Sequence, residues 1–517
     1  MKVSLKDIGR CSGTHRAWLY NALDCTGTRE IFDALHPRLG ELTADTYAFE
    51  RALQAPFLTM MQEGVLVDVE KRDKRVGELK RELKKTAKAI NLLPVVVEKW
   101  DALVKETGIC DLEAGSRHKW PKDVPDSVDK KCAKCGKARL VKSDFNPASS
   151  QQKMRLFYTL LNVPPVRGRN KEITCDDEAL DSIGRKFPAL LPITNQIVLY
   201  QKTHKQIGFL SAKLTSDNRY PSSFNVGTAW TGRASSSKNP FGLGGNLQNV
   251  AEQNRDIFIA DPGWCIGYAD LEQAESNIVA HAAGDEEYIA AHKSGDVHIF
   301  VARYVWPELP WTGDMALDKE VAKGLPVWDA IPGHEWRFQA KRAQHGSNYG
   351  LTPFGMALQA HIPVAEARRA QGRYFAAFPR IRDHQNGLLK QIQAHLPIVT
   401  ALGRRFKLFG RPDDPHTHKQ ALAAEPQSMV ADILDLALWR VWDELHGRVR
   451  LLAQVHDAVL FLFRQDDHAA LAQVKKLMTI PVKINDRVMT LGVDVAVGLN
   501  WGKKSPSNPN GLKAWKG

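Results

Sequence analysis

Two kinds of hydrophobic spacing alternate along this 517-residue chain, and together they predict a protein of both helices and strands. Apolar residues recur every three or four positions over residues 46–89 and 148–214, which is the spacing of an amphipathic helix. Shorter apolar runs, typical of strands, occupy residues 264–269, 451–463 and 482–497. Serine, glycine and asparagine crowd residues 221–249 and predict irregular backbone there.

Acidic residues stand at the end of one predicted strand and inside another. Asp270 follows the run 264–269, whereas His456 and Asp457 interrupt the run 451–463, where a hairpin turn would present both side chains together. An ionised carboxylate beside apolar strands needs a compensating cation. Two such aspartates can hold a pair of Mg²⁺ ions for an in-line phosphoryl transfer, although either one alone is also compatible with a capping or turn role.

A third polar pattern lies in residues 334–350, which we predict to be a helix. Arg337, Lys341, His345 and Tyr349 are spaced by four, so each step drifts only about 40° around the helix and the four side chains share one face. A core-facing helix would carry an apolar stripe at these positions. Two fixed cations can grip a triphosphate while an aromatic ring packs beside a base, so this face predicts nucleotide binding; a solvated surface helix is the alternative.

The charge balance narrows the choice of partner. The chain has 71 Lys and Arg against 58 Asp and Glu, a net charge of +13, which indicates a partner of dense negative charge. Residues 71–88 contain nine basic and three acidic side chains and predict either a solvated helix face or one that follows phosphates. No apolar run approaches the ~20 residues of a membrane span. Because no secretory signal is visible either, we expect a cytoplasmic protein, in the host cytoplasm if it is viral, without a membrane partner.

The seven cysteines, an odd number in a long chain, are typical of reduced thiols and not of a disulfide framework. Cys132 and Cys135 are two residues apart and are followed by glycine, which is the spacing of a zinc half-site. Cys110 and His118 are the candidate partners. One structural Zn²⁺ and free thiols are both open for this segment, residues 108–142, whose polar composition predicts an insertion.

In their order along the chain, these motifs resemble those of the family A DNA polymerases, the group of bacterial DNA polymerase I and many bacteriophage replicative enzymes. Residues 270–275 are similar to motif A, 337–350 to motif B and 454–457 to motif C, at approximately the family's spacing. The tract that touches the primer-template minor groove resembles residues 228–236 with 246–249, and residues 145–149, 296–298 and 493–501 also fit. The resemblance covers nearly the whole chain.

The resemblance implies an α+β, multidomain, right-hand polymerase fold with an antiparallel-sheet palm, helical fingers and a helical thumb. The implied domains are a remnant of an exonuclease-like domain (1–48), the thumb (49–220, with the insertion 108–142), a first palm segment (221–285), the fingers (286–400) and a second palm segment (401–517). The implied partners are primer-template DNA and dNTPs, with two Mg²⁺ ions as cofactors.

The resemblance also implies a role for each matching side chain. Asp270 and Asp457 would bind the metal ions, with Lys341 a candidate general acid for pyrophosphate release. The incoming nucleotide would contact Arg337, His298, His345, Tyr349 and Glu275, of which Glu275 would be the steric gate that excludes a 2′-hydroxyl. The DNA would contact Arg233, Gln248, Asn249, Gln427 and His456, the last beside the primer 3′ end.

Four positions depart from the family's pattern. Ala458 stands where motif C usually has Glu, and Glu272 stands where motif A usually has a small hydroxyl residue. Our hypothesis is that Glu272 supplies a third metal-binding carboxylate from the other side of the site. His345 replaces the usual Phe or Tyr and Asn277 replaces the motif A Arg, so dideoxynucleotide discrimination and the usual pairing of that Arg do not carry over.

Residues 20–24 resemble the last motif of the proofreading 3′–5′ exonuclease domain. Only 19 residues precede it, and none of them supplies the earlier Asp-x-Glu motif. We therefore expect no intrinsic proofreading, an expectation that degradation of a mismatched primer dependent on Asp24 would refute. A separate exonuclease chain or a processivity factor is a candidate partner.

The leading functional prediction is template-directed DNA synthesis, in replication or repair. A single-subunit RNA polymerase is one alternative, disfavoured because a bulky Glu275 beside the sugar would exclude ribonucleotides. A non-catalytic nucleic-acid-binding protein that kept the fold is another. The intact Asp270, Asp457, Arg337 and Lys341 disfavour it, whereas Ala458 keeps it open.

Overall fold

A computed structural model describes residues 13–106, 129–131, 138–140, 144–168, 172–325 and 335–517. Its helices α1 to α18 are Gly13–Leu35, Glu41–Ala52, Gln54–Glu63, Val69–Asn91, Pro94–Glu106, Ser150–Met154, Asp177–Lys186, Leu191–Leu210, Ala274–Ala283, Glu286–Lys293, Val297–Val305, Met315–Gly324, Trp336–Asn348, Pro353–Ala360, Val364–Ala377, Pro379–Gln393, Pro415–Glu444 and His468–Met478. A π-helical turn, Arg155–Leu160, continues α6.

The strands are mostly short. In order, β1 to β17 are Val65–Leu66, Asp129–Lys131, Ala138–Leu140, Val166–Arg167, Ile173–Thr174, Arg219–Tyr220, Ser223–Asn225, Ser235–Ser237, Trp264–Leu271, Ile398–Val399, Arg405–Phe406, Val449–Val455, Ala458–Arg464, Pro481–Ile484, Arg487–Thr490, Val493–Gly498 and Lys513–Ala514. Five of them form the central sheet, in the order β12-β13-β9-β16-β17, with every neighbouring pair antiparallel.

The central sheet is the best-predicted part of the chain. The predicted strand 264–269 is β9, the run 451–463 is the hairpin β12–β13, and the run 482–497 contains β14, β15 and β16. Leu460, Phe461 and Leu462 of β13 are at most 1 % exposed, because helices and loops cover both faces of this strand. Burial on both faces explains why its apolar run is continuous instead of alternating.

The prediction of one helical stretch over 46–89 is wrong in its middle. The chain leaves α3 at Gly64, which has a left-handed φ of +60°, and forms β1 against β6 before α4 begins. The Asp68 carboxylate caps α4 by accepting a hydrogen bond from the backbone N–H of Lys71, at 2.9 Å. The region 148–214 is likewise divided, because the small hairpin β4–β5 separates the turn after α6 from α7 and α8.

Other groups of elements have hydrophobic cores of their own. Helices α9 to α15 pack around the buried rings of Tyr288, Trp306 and Tyr374, whereas α4, α5 and α8 share a core with the buried Trp100 and Phe157. No helix in the described part of the chain is long and apolar enough to cross a membrane.

Some basic side chains of helix α4 form salt bridges that stabilise the fold. Lys71 and Arg75 both pair with Asp256, at 2.8 and 2.5 Å, and so tie α4 to the segment that precedes β9. Hydrogen bonds from these two cations outweigh burial and hold the pKa of Asp256 below its usual range. Two of the nine basic residues in 71–88 are therefore engaged inside the protein and do not belong to a free phosphate-following face.

Candidate active site

A cavity of about 860 Å³ separates the central sheet from helix α13. Thirteen of the residues that the sequence predicts for the site line it: Arg233, Gln248, Asn249, Asp270, Glu272, Glu275, His298, Arg337, Lys341, His345, Tyr349, His456 and Asp457. Gln427 does not line it, although Val430 on the same helix, α17, does. The cavity therefore brings carboxylates from the sheet to face cations from the helix.

Three strands of the central sheet carry the carboxylates. A two-residue turn, His456 and Asp457, joins β12 to β13, and the backbone N–H of Leu271 donates a 3.0 Å hydrogen bond to the Asp457 carbonyl. This bond fixes the turn against the end of β9, next to Asp270. His456 has a φ of +58°, which costs a non-glycine residue roughly 1 kcal/mol. The strained turn exposes His456 to the cavity.

The Asp270 carboxyl lies in an unfavourable environment for its charge. Burial and the neighbouring carboxyl of Asp457 raise the pKa of Asp270 to about 7. Its buried Oδ1 atom has no hydrogen-bond partner among the described residues. A desolvated, repelled and unsatisfied carboxylate oxygen is a position at which a cation would be stabilised.

A second carboxyl pair extends this group. Asp494 lies directly opposite Asp270 on the neighbouring strand β16, and it approaches the Glu272 carboxyl. Burial and the Asp494 carboxyl raise the pKa of Glu272. A Cβ atom on Gly492 would lie 2.7 Å from the Glu272 Cδ, so the glycine leaves room for this side chain. We call Asp270, Asp457, Glu272 and Asp494 the cleft carboxylates.

Sequence reasoning missed Asp494 as a site residue. Its signal was the polar position between Val493 and Val495, in a run that predicts a strand with one face toward the core. Nothing local indicates that this polar face continues the one that carries Asp270. Only the antiparallel register of β16 on β9 makes the two neighbours.

Helix α13 presents the cations, as its four-residue spacing predicts. Arg337 donates from Nε to Asp296 at 2.8 Å, whereas Lys341 is exposed to the cavity and has no salt-bridge partner within the described residues. His298, from α11, lies 2.6 Å from the Gln344 Oε1 through Nδ1. Burial lowers the pKa of His298 to about 4, so the ring is neutral near pH 7 and Nδ1 is its donor.

Glu275 is held from two sides. Arg233 donates to its Oε1 and the Tyr349 hydroxyl, at the end of α13, donates to its Oε2. The ring of His345 packs edge-on against Tyr349, with centroids 4.8 Å apart. Both carboxylate oxygens are therefore engaged, and the Glu275 side chain is fixed where it narrows the cavity between sheet and helix.

A small polar network fixes the loop that carries Gln248. The Gln248 Nε2 donates to the Ala234 carbonyl at 3.1 Å and to the Oε1 of the buried Gln454 at 2.8 Å. Gln248 therefore bridges the loop after β8 to strand β12. Asn249, beside it, also lines the cavity.

The cleft carboxylates suit a hard divalent cation, although no three His, Cys, Asp or Glu side chains of the described residues converge as a metal site. Mg²⁺ is usually held by one or two carboxylates together with substrate phosphates and water. Two carboxyl pairs and the unsatisfied Asp270 oxygen fit that pattern. The candidate zinc ligands, Cys110, His118, Cys132 and Cys135, lie outside the described residues.

A central antiparallel sheet that carries carboxylates, facing a cationic helix across one cleft, is the arrangement of the right-hand polymerase fold. Residues 126–503 match the model of DNA polymerase family A. The chain belongs to that family, which confirms the resemblance read from its motifs.

Individual relatives support the same assignment. The chain is 30 % identical over 382 residues to DNA polymerase I of Chloroflexus aurantiacus, a match that covers 70 % of this chain and 38 % of that protein. It is 25 % identical over 384 residues to the thermostable DNA polymerase I of Thermus aquaticus, across 70 % and 42 % of the two chains. The chain thus spans about two-fifths of the length of these relatives.

A solved structure shares the fold. The POL domain of Pol1 from M. smegmatis, in complex with DNA primer-template and dNTP, superposes with a TM-score of 0.67 at 23 % identity, over 91 % of this chain and 73 % of that one. This confirms the predicted α+β right-hand architecture.

Proposed function

We propose that this chain is a template-directed DNA polymerase that adds dNTPs to a primer 3′ end by two-metal phosphoryl transfer. The observation that carries the proposal is the pairing of Asp270 and Asp457 at the end of β9, with one unsatisfied buried oxygen, across a cavity from Arg337 and Lys341. Anionic phosphates between these two walls would be attracted to the cations and need a divalent ion beside the carboxylates.

Asp270 and Asp457 are the proposed ligands of two Mg²⁺ ions, with Glu272 contributing from the neighbouring pair. When bound, these ions would activate the primer hydroxyl and neutralise the leaving pyrophosphate. The ligand oxygens come from rigid elements, a strand end and a tight hairpin turn, so their positions are fixed before substrate arrives.

The cations of the opposite wall would hold the triphosphate. Lys341, which has no salt-bridge partner among the described residues, would bind phosphate and give a proton to the leaving pyrophosphate. Arg337 is oriented by Asp296. A phosphate oxygen near His298 would favour the doubly protonated ring and so raise its low pKa, which makes this histidine a ligand whose charge depends on the nucleotide.

Glu275 is the proposed sugar gate, and its two hydrogen bonds explain why it would act as one. A glutamate held by Arg233 and Tyr349 cannot swing away from a 2′-hydroxyl without breaking both bonds. Tyr349 would pack under the templating pair, and His345 would contact the incoming nucleotide. Deoxynucleotides are therefore the proposed substrates, and the alternative of an RNA polymerase is disfavoured.

The duplex would lie along the side of the cavity formed by the sheet. Arg233, Gln248 and Asn249 line it there and would contact the minor groove, where every correct pair presents acceptors at similar positions. His456 would stand beside the primer terminus, and Gln427 of α17, which does not line the cavity, would also contact minor-groove acceptors. The domain boundaries implied by the sequence remain proposals of the same kind.

Single-turnover extension of a primed template, with dNTP or NTP and with or without Mg²⁺, tests this function. We expect extension with dNTPs only, and only with the metal. Extension with NTPs would indicate an RNA polymerase, and tight primer-template binding without extension would indicate a non-catalytic binding protein. A labelled mismatched primer, incubated without nucleotide, tests the separate prediction about proofreading, with Asp24→Ala as the matched variant.

A further inference from the structure

A buried ionic cluster lies behind the loop that brings Arg233 to the cavity. Arg404, immediately before β11, donates from Nε and Nη2 to Asp432 of α17, with a shortest distance of 2.6 Å, and from Nη2 to Glu50 of α2, also at 2.6 Å. Their side chains are only 13 %, 8 % and 19 % exposed, respectively. Asp435, one helical turn beyond Asp432, completes what we call the Arg404 cluster.

The guanidinium of Arg404 packs directly against the backbone of the loop. A Cβ atom on Gly232 would lie 2.7 Å from the Arg404 Cζ, so only glycine allows this approach. Gly232 also has a φ of +81°, in the left-handed region that favours glycine. The next residue is Arg233, whose side chain reaches Glu275.

A second contact holds the same loop from the β10–β11 hairpin. The ring of Trp230 meets the ring of Phe406 edge-on, with centroids 5.7 Å apart. Arg404 and Phe406 belong to one short hairpin, and they contact Gly232 and Trp230, one and three positions before Arg233. The loop has little regular structure of its own, so these contacts decide where Arg233 points.

The cluster is rigid for an electrostatic reason. Burial opposes the charge of Arg404, but the hydrogen bonds and charges of Asp432 and Glu50 outweigh it and hold its pKa above the ordinary value. A planar guanidinium can satisfy two carboxylates and present a flat face to Gly232 at the same time, whereas a lysine ammonium offers no such face. A side chain of different charge or shape at position 404 would therefore change the loop at Gly232.

We propose that Arg404 is a positioning residue of this enzyme: it fixes the backbone at Gly232 so that Arg233 reaches Glu275. The inference rests on the proposed function, because its effect is read in nucleotide addition. Arg404 contacts no residue of the cavity wall by a charged group; it acts through the loop. It thereby sets the sugar discrimination of Glu275 and the position of Arg233 against the minor groove.

The test compares Arg404→Met with Arg450→Met in single-turnover extension. Arg450 is a matched control, because it also bridges two carboxylates, Glu63 and Asp261, but stands at the far end of β12 from the catalytic turn. We expect Arg404→Met to reduce both the rate at saturating dNTP and the preference for dNTP over NTP by about tenfold, because a displacement of well under about 1 Å costs less than the roughly 10²-fold loss that a misplacement of about 1 Å can cause. Arg450→Met should change neither, even where it lowers the thermal midpoint equally.

A double variant identifies the route of the effect. If Arg404 acts through Arg233, then Arg404→Met should add nothing to the loss of sugar selectivity already caused by Arg233→Ala. Additive losses would overturn the proposal, as would equal selectivity in Arg404→Met and Arg450→Met. An inactive wild-type protein would contradict the proposed function instead, so the two failures are distinguishable.

Glu50→Gln keeps the proposal testable if Arg404→Met does not fold. This variant preserves size and removes one of the two charges that hold Arg404. We expect Glu50→Gln to lose less sugar selectivity than Arg404→Met, in the same direction. Wild-type selectivity in a further variant, Arg404→Lys, would contradict the role given to the planar guanidinium.

Discussion

Two groups of acidic side chains, the Arg404 cluster and the cleft carboxylates, differ in how their negative charge is compensated. In the Arg404 cluster, the carboxylates of Glu50 and Asp432 converge on one guanidinium and are buried. The cleft carboxylates face each other across the ends of three strands, with an oxygen of Asp270 left without a partner among the described residues. The first group includes a cation of the protein, although Glu50 Oε2 and Asp435 Oδ1 also lack hydrogen-bond partners among the described residues. The carboxylates of the second group line the cavity instead.

The difference separates a structural cluster from a binding site. Carboxylates that evolved only to stabilise the fold would be expected to have cations within reach, because an unpaired buried charge is costly. The charge of Arg255 lowers the pKa of Asp270, but burial together with Asp457 outweighs it. The residual repulsion destabilises the metal-free protein, and a divalent ion at the proposed site would relieve it.

The variant Asp270→Asn is the strongest test of the difference between the two acidic groups. We expect nucleotide addition to fall by at least about 10³-fold, since an essential metal ligand and its charge are lost. In EDTA, however, the thermal midpoint should rise, because the repulsion with Asp457 is removed. A lower midpoint, measured by calorimetry on the metal-free protein, would show that Asp270 contributes to the fold and would contradict the proposed metal site.

The converse variant, Asp432→Ala, should destabilise the protein. Removal of Asp432 leaves Arg404 with Glu50 as its remaining hydrogen-bonded carboxylate, and breaking a buried ion pair by removing one partner costs about 3–5 kcal/mol. Denaturant unfolding measures it, with Asp443→Ala, at an exposed position of the same helix, as the control. If Asp432→Ala and Asp270→Asn shifted stability in the same direction, the two acidic groups would not differ as we argue.

Local sequence patterns predicted the individual elements of the site but not which elements lie next to one another. The strand that ends at Asp270, the turn at His456 and Asp457 and the cationic face of α13 are each set within about ten residues, where periodicity and turn chemistry act. The division of the helical stretch at Gly64 was also a local signal, an isolated glycine in a helical pattern, and it was missed.

The contacts that the sequence could not predict join residues that are far apart along the chain. Arg404 and Glu50 are 354 residues apart, and no spacing relates them. Asp494 joins Asp270 only through the register of β16 on β9. The register also refines the hypothesis for Glu272. Its carboxyl faces Asp494, so Glu272 would reach the metal as one member of a carboxyl pair.

Glu272→Gln tests that refinement. We expect the Mg²⁺ concentration for half-maximal extension to rise by about tenfold, while the KM for dNTP changes little, because the triphosphate contacts lie on the opposite wall. Glu320→Gln, on the surface of α12, is the control. An unchanged rate and Mg²⁺ dependence, in this variant and in Glu272→Ala, would eliminate Glu272 from the site.

The smallest effect is expected at Asp435, the deepest carboxyl of the Arg404 cluster. Its side chain is 1 % exposed, its Oδ1 has no hydrogen-bond partner among the described residues, and burial raises the pKa of Asp435 well above its usual range. In the unfolded chain this carboxyl ionises near pH 4, whereas in the folded protein it keeps its proton to higher pH. The unfolded state therefore binds fewer protons in this window, and stability falls as the pH rises from about 4 toward the raised pKa.

Asp435→Asn should remove this contribution, because an amide of the same shape has no proton to lose. We expect a gain in the free energy of unfolding on the order of 1 kcal/mol at pH 8 and almost none at pH 4. Denaturant unfolding across this range measures the slope, and Asp443→Asn on the exposed side of α17 should leave it as in wild type. A loss of stability at pH 8 would mean that Asp435 is ionised and paired, and the Arg404 cluster would then hold three charges on one guanidinium instead of two.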